Sequence, residues 1–246
     1  MRNTGKRSVP ILFKTISKNF GNILRLYPKM MWVADHPKKY SEDERYEFCM
    51  FLIKTLIESA GVMVRAFGLE NIPAQDGFYV CANHQEKFDP LAIWYTFPRK
   101  IGVILDDRAT HRPFIREVCK LVRSKKLHYR RPKKIFKAIS EVTEELKNFI
   151  NYMVFPEGNY EEVSGVLSEF HAGSFKSPKN AKCPIVPVAI IDSYKIFDRG
   201  FTTTLPIQVH YLKPIMPVEF EKLTTSQIAE LVKSRIQAVL DKFQKK

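Results

Sequence analysis

No uninterrupted apolar run in this 246-residue chain reaches the ~18 to 20 residues a membrane-spanning helix needs. Any membrane contact is therefore expected at the surface. Near the start, Arg2, Lys6 and Arg7 precede an apolar stretch that Pro10 and Lys14 interrupt, so no signal peptide is expected. Cysteine is sparse. Cys49, Cys81, Cys119 and Cys183 lie scattered in apolar contexts, with no CxxC pair and no zinc-like spacing. That argues against a structural metal and predicts buried thiols in a reducing compartment. Cys81, three residues before a histidine, is a possible nucleophile, but the inward face of a strand is the plainer place for it. Repeats and low-complexity linkers are missing too, which leaves one large domain or one domain with an appendage. Acid is in short supply: 26 Asp and Glu face 40 Lys and Arg, a formal net charge of +14. Such a surplus predicts a polyanionic partner, whether nucleic acid, an anionic membrane face or a phosphorylated substrate.

Apolar material is ample, at 45% of residues with 12% aromatic, so the chain is globular. Over Pro10–Tyr27, Leu12, Ile16, Phe20, Ile23, Leu24 and Tyr27 recur at helical spacing, with Lys14, Lys18 and Arg25 elsewhere on the wheel. This basic amphipathic helix suits either a membrane surface or the core. His36-Pro37 breaks it. Ser41 and Glu44 then form a capping box that predicts a long helix to about Arg65. Residues 1–66 thus read as an N-terminal helical hairpin and 67–246 as the main domain. From Phe67 on, strands are predicted at Phe78–Ala82, Ile101–Leu105, Leu127–Tyr129, Met153–Phe155, Ile185–Ile191 and Ile207–Tyr211. Helices are predicted at Pro90–Phe97, Pro113–Ser124, Lys133–Asn148, near Ser168–Lys176, and Ser226–Phe243. The fold class is α/β, a central mixed sheet flanked by helices and preceded by the amphipathic hairpin.

Positive charge concentrates between Arg108 and Lys137, where Glu117 is the single acid. Arg112, Arg116, Lys120 and Arg123 recur at helical spacing and predict an arginine face turned to solvent. Phosphate neutralisation on nucleic acid, attraction to an anionic membrane, and binding of a phosphorylated small molecule all fit. No nucleic-acid-binding module is recognisable, so nucleic acid is not expected as a partner.

Asn83-His84-Gln85-Glu86-Lys87-Phe88-Asp89-Pro90 follows directly on the first apolar strand. A carboxylate accepting from one imidazole nitrogen fixes the tautomer and makes the other nitrogen a base. His84 and Asp89 are thus either a catalytic dyad or two unrelated caps. A later strand runs into Phe155-Pro156-Glu157-Gly158. That turn offers a carboxylate, Glu157, for a substrate hydroxyl or a basic residue, and a glycine free to take positive φ. Pro184-Ile185-Val186-Pro187-Val188 is a prolyl-flanked buried strand.

Together these segments resemble the glycerolphosphate acyltransferase superfamily, most closely the bacterial PlsC-like 1-acylglycerol-3-phosphate acyltransferases. Asn83-His84 through Asp89 matches the first family motif, NHx4D. Arg130 looks like the arginine of the second, Phe155–Gly158 matches the third, and Ile185–Val188 the fourth. The resemblance covers about Phe67 to Pro217. Where the third motif usually continues Thr-Arg, this chain has Asn159-Tyr160. The missing arginine is one thought to help hold the acceptor's phosphate.

The resemblance implies transfer of an acyl chain from a thioester, acyl-CoA or acyl-ACP, to a lysophospholipid hydroxyl. His84 would be the base and Asp89 its orienting carboxylate. Arg130, Glu157, Gly158 and Asn83 would line the substrate site, with backbone N–H groups near Gly158 as oxyanion donors. No metal and no cofactor beyond the thioester co-substrate is expected. Partners would be the lipid acceptor, the thioester donor, an anionic membrane surface and an acyl carrier protein. The place would be the cytoplasmic side of the cell membrane, as a peripheral or monotopic protein.

Overall fold

Seven strands form one sheet in the computed structural model, which describes residues 20–60, 62–128, 131–158, 167–198 and 206–244. They are β1 (Met63–Phe67), β2 (Tyr79–Ala82), β3 (Gly102–Asp106), β4 (Ser124–Leu127), β5 (Tyr152–Val154), β6 (Ile185–Ile191) and β7 (Pro206–Tyr211). Their order across the sheet is β1-β7-β6-β2-β5-β3-β4. The run from β6 to β4 is parallel throughout. β7 is antiparallel to β6, and β1 pairs parallel with β7. The sheet is mixed, as the sequence predicts.

Side-chain alternation along β2 explains the two layers. Phe78, Val80 and Ala82 point into one core, and Tyr79 and Cys81 into the other. All five are essentially inaccessible, which is why the segment reads as a continuous apolar run rather than an alternating one. Each large side chain so buried contributes about 1.5–3 kcal/mol. On the Phe78 face lie α1 (Phe20–Asp35), α2 (Glu42–Ser59), α3 (Asp89–Thr96) and α4 (Ile115–Leu121). On the Cys81 face lie α5 (Pro132–Lys147), α6 (Lys176–Ala181) and the long C-terminal helix α7 (Thr225–Gln244). The five parallel strands all end at one edge of the sheet. β2 is its switch point: the chain first builds β3, β4 and β5 to one side of β2, then β6 to the other. Ligands of open α/β sheets bind at such edges.

The capping box forms as predicted. Glu44 donates its backbone N–H to Ser41 Oγ at 3.2 Å, and its carboxylate accepts from Ser41 N at 2.7 Å. Several boundaries differ. α1 does not stop at Tyr27 but runs through Pro28 to Asp35, because Met30, Val33 and Ala34 extend its buried stripe. The earlier part of the predicted Pro10–Tyr27 helix lies outside the described residues. α2 ends at Ser59, short of Arg65, and Met63–Phe67 is the edge strand β1. A short apolar run is ambiguous between helix and strand, and pairing with β7 decides it. β4 also sits earlier than predicted, at Ser124–Leu127; as an edge strand it carries Lys125 and Lys126 in place of an apolar signal. Tyr129 lies outside the described residues.

The predicted arginine face is largely occupied rather than bare. Lys120 pairs with Asp35 on α1 at 2.5 Å and Arg123 with Glu42 on α2 at 2.6 Å. Arg116 holds Glu117, whose carboxylate also accepts from Tyr27 Oη and from the backbone N–H of Phe114. The helical hairpin is thus clamped to α4 and to the turn after it by charge as well as by apolar packing.

The guanidinium of Arg123, hydrogen-bonded to Glu42, holds that carboxyl below its ordinary range. A carboxyl depressed in the folded state stabilises above its unfolded pKa, and that stability is lost as pH falls through the folded value. With Glu42 partly exposed, solvent screening leaves about 0.5 kcal/mol. Glu42→Gln should melt roughly 1–2 °C below the parent at neutral pH. The two melting curves should converge in acid, below the ordinary carboxylate range.

Candidate active site

Residues 83–89 form the loop from β2 into α3, at the carboxyl edge of the sheet. Asn83 fastens its start. Its Oδ1 accepts from Ile190 N at 2.7 Å and its Nδ2 donates to Ile190 O at 3.0 Å. The side chain is buried, so Asn83 splices β2 to β6 and does not line the substrate site as the sequence suggests. Gln85 adds a second fastening, its Oε1 accepting from both the backbone N–H and the hydroxyl of Ser193.

His84 and Asp89 meet. His84 Nδ1 lies 2.8 Å from Asp89 Oδ2, and the same oxygen accepts from Gln85 N at 2.5 Å and Glu86 N at 2.8 Å. Asp89 is the first residue of α3 and fully buried. Its other oxygen, Oδ1, is buried without a hydrogen-bond partner among the described residues. Oδ2 already accepts two backbone N–H groups, so it fits Nδ1 as donor, the tautomer that leaves Nε2 as the acceptor nitrogen. The imidazole lies against Phe155, ring centroids 4.5 Å apart, and its side chain is 16% exposed. Of the two readings open in the sequence, the paired one is the geometry found.

Glu157 reaches the same loop from the end of β5. Its Oε1 accepts from the backbone N–H of His84 at 2.7 Å and its Oε2 from that of Ser168 at 2.9 Å. Burial pushes its carboxyl up from the ordinary value, while the N–H of His84 pulls it down. Both oxygens are therefore engaged by backbone amides, where the sequence suggests a substrate hydroxyl or a basic side chain. Gly158 has φ +73°, the conformation the turn demands. Its N–H donates to Phe155 O at 3.1 Å, so this amide closes the turn and is not an idle oxyanion donor. Arg130, Asn159 and Tyr160 lie outside the described residues. Cys81 is inaccessible on the opposite face of β2, and burial pushes its thiol far up. A thiolate nucleophile there is ruled out on both counts.

Sequence reasoning missed Ser168, Ile190 and Ser193. Two of them act through backbone groups and the third through both its N–H and a hydroxyl, and no residue-type signal marks such partners.

The arrangement can take a proton from an incoming hydroxyl and hold the imidazolium that results. With that geometry in view, comparison with known proteins is informative. The family model described as Acyltransferase matches residues 63–191, a span holding His84, Asp89 and Glu157. A probable 1-acyl-sn-glycerol-3-phosphate acyltransferase of Mycoplasma pneumoniae is 24% identical over 213 residues, 80% of this chain and 78% of that protein. The mouse 1-acyl-sn-glycerol-3-phosphate acyltransferase alpha is 27% identical over 188 residues, 74% of this chain and 64% of the mouse protein. The crystal structure of the 1-acyl-sn-glycerophosphate acyltransferase PlsC from Thermotoga maritima superposes with a TM-score of 0.74 at 20% identity, covering 98% of each chain. That likeness speaks for the fold. The family match, which runs from β1 to the end of β6 and takes in more than half of the chain, shows that this protein belongs to the Acyltransferase family.

Proposed function

We propose that this acyltransferase moves a fatty acyl chain from a coenzyme A or acyl carrier protein thioester to the hydroxyl of 1-acylglycerol-3-phosphate. The observation that carries the reading is the 2.8 Å bond between His84 and an Asp89 wholly removed from water. A lipid hydroxyl is a poor nucleophile at neutral pH. His84 Nε2 takes its proton as the oxygen attacks the thioester carbonyl, and Asp89 stabilises the imidazolium that forms. The tetrahedral oxyanion collapses, the carbon–sulfur bond breaks, and the departing thiolate takes the proton from His84. The thioester is already activated, so no acyl-enzyme intermediate is required. Glu157 sets the height of His84 through its backbone N–H, and Arg130 pairs with the acceptor's phosphate.

The acceptor assignment is supported by the relatives from Mycoplasma pneumoniae and mouse, both of which carry that acceptor in their names. Membrane docking has separate support. Leu24 and Trp32 on α1 and Phe51 on α2 are more than half exposed, and Arg25 and Lys29 lie between them in sequence. Apolar side chains interleaved with cations suit an anionic bilayer surface. No helix of the described residues is long and apolar enough to cross a membrane. On this reading the membrane-associating part is the hairpin of α1 and α2, while β1 belongs to the sheet, and the protein sits on the cytoplasmic face as a peripheral or monotopic enzyme.

A second reading keeps the chemistry and changes the head group. Asn159-Tyr160 in place of Thr-Arg removes a cation from the acceptor side and favours a lysophospholipid other than the phosphomonoester. Radiolabelled acyl transfer across a panel of lysophospholipids and glycerol-3-phosphate separates the two.

His84→Ala should lower kcat by roughly 10²- to 10⁴-fold while leaving binding to anionic vesicles intact. A mutant that keeps most of the parent rate would refute the base assignment, and a parent that binds vesicles without turnover would mark a lipid-binding protein. Cys81→Ala should turn over like the parent. Glu157→Gln turns an amide NH2 towards one of two backbone N–H donors; the cost should be about 1–3 kcal/mol. It should appear as a lower melting temperature together with a lower kcat.

A further inference from the structure

Between α1 and α2 lies a groove of about 360 Å³, lined by Arg25, Leu26, Lys29, Phe48, Phe51 and Thr55. Arg25 and Lys29 stand four positions apart on α1 and so share one face of that helix. Both are exposed, and neither pairs with an acid among the described residues. Lys29 is turned to the far wall, its ammonium 5.2 Å from the centre of the Phe48 ring. The acids of the two helices are placed elsewhere. Asp35, Glu42 and Asp43 pair with Lys120, Arg123 and Lys100, Glu44 closes the capping box, and Glu58 pairs with Lys54. Glu47 is exposed on α2 and is not part of the groove lining. Two like charges thus meet at one groove whose lining holds no acid. An anion between them would relieve the repulsion.

The rest of the lining selects the anion. The Thr55 hydroxyl donates to Phe51 O at 2.8 Å, so its proton is already placed. Leu26, Phe48 and Phe51 make the remaining wall apolar. Phe51 is more than half exposed, as is Leu24 beside Arg25. A free phosphate gains nothing from such a wall, whereas a phosphate carried on hydrocarbon gains from both the cations and the rings. A phosphomonoester carries a charge of about −1.5 to −2 at neutral pH, which matches two cations better than the single charge of a phosphodiester. We propose that the α1–α2 groove binds one phosphomonoester lipid of the membrane, its phosphate between Arg25 and Lys29 and the start of its chains against Phe48 and Phe51. This rests on the membrane-docking reading above and adds which lipid the hairpin selects. The head group is the one read above for acceptor and product, so the enzyme is retained where its own lipids collect. The groove shares no residue with the site at His84.

The test is co-sedimentation of the full chain with phosphatidylcholine vesicles that carry either phosphatidate or, at equal surface charge, phosphatidylglycerol. The parent should bind the phosphatidate vesicles about fivefold more tightly. Arg25→Gln/Lys29→Gln should lose that preference, with an unchanged melting temperature as the check on folding. Lys38→Gln/Lys54→Gln removes the same charge from exposed positions outside the groove and should keep the preference. Inorganic phosphate in excess should not erase it either; if it does, the groove holds a free anion and the proposal fails. Equal binding of the parent to both vesicles, or an equal loss of preference in both double variants, overturns the proposal while leaving docking by charge alone intact. A parent that binds neither vesicle overturns the docking reading along with it. None of these measurements involves turnover, so the acyl-transfer reading is tested separately.

Discussion

A single oxygen of Asp89 accepts three N–H groups, and the geometry of the site follows from that concentration of donors. A buried carboxylate without compensation costs several kcal/mol. Here the charge is held by two backbone amides of its own loop and by the imidazole it orients. The loop cannot open without stranding the charge, so His84 inherits the rigidity of the turn. The imidazole is thereby positioned through a carboxylate that backbone amides hold, rather than through long side chains.

The surrounding contacts extend that logic. Asn83 ties the start of the loop to Ile190 on β6, Gln85 ties its middle to Ser193, and Glu157 ties His84 itself to the end of β5. β5 and β6 are the two neighbours of β2 in the sheet. The His84 loop is therefore braced from both sides of the strand that carries it. Two of the three braces are neutral amide side chains and the third is a buried carboxylate with both oxygens engaged.

Much of this is legible in the sequence. The strand centres, the two-layer arrangement, the capping box at Ser41 and the pairing of His84 with Asp89 follow from periodicity, turn chemistry and motif order. The misreadings share a cause. β1 and β4 are edge strands, with one pairing partner and a half-buried pattern, and local sequence does not distinguish them from helix ends or loops. Asn83 and Glu157 read as substrate residues because polar side chains in a motif invite that reading. Their actual partners are backbone groups, at Ile190 over a hundred positions from Asn83 and at His84 and Ser168 some seventy and eleven positions from Glu157, which carry no sequence signature. The arginine face fails for a similar reason: its acids lie on α1 and α2, far from it in the chain.

The carboxylate of Glu157 joins its own turn to the amide of Ser168, eleven positions on, and, across the site, to that of His84. A second bond, from His171 N to Pro156 O, closes the same ring of chain. The chain before position 159 is thus tied to the His84 loop, and the chain after position 166 is tied to the same turn, by groups outside the stretch between them. None of these bonds uses a side chain of that stretch, so the position of the His84 backbone does not depend on its side chains. The turn at Gly158 and the loop of residues 83–88 therefore stand or fall together, whatever residues the chain carries between positions 158 and 167.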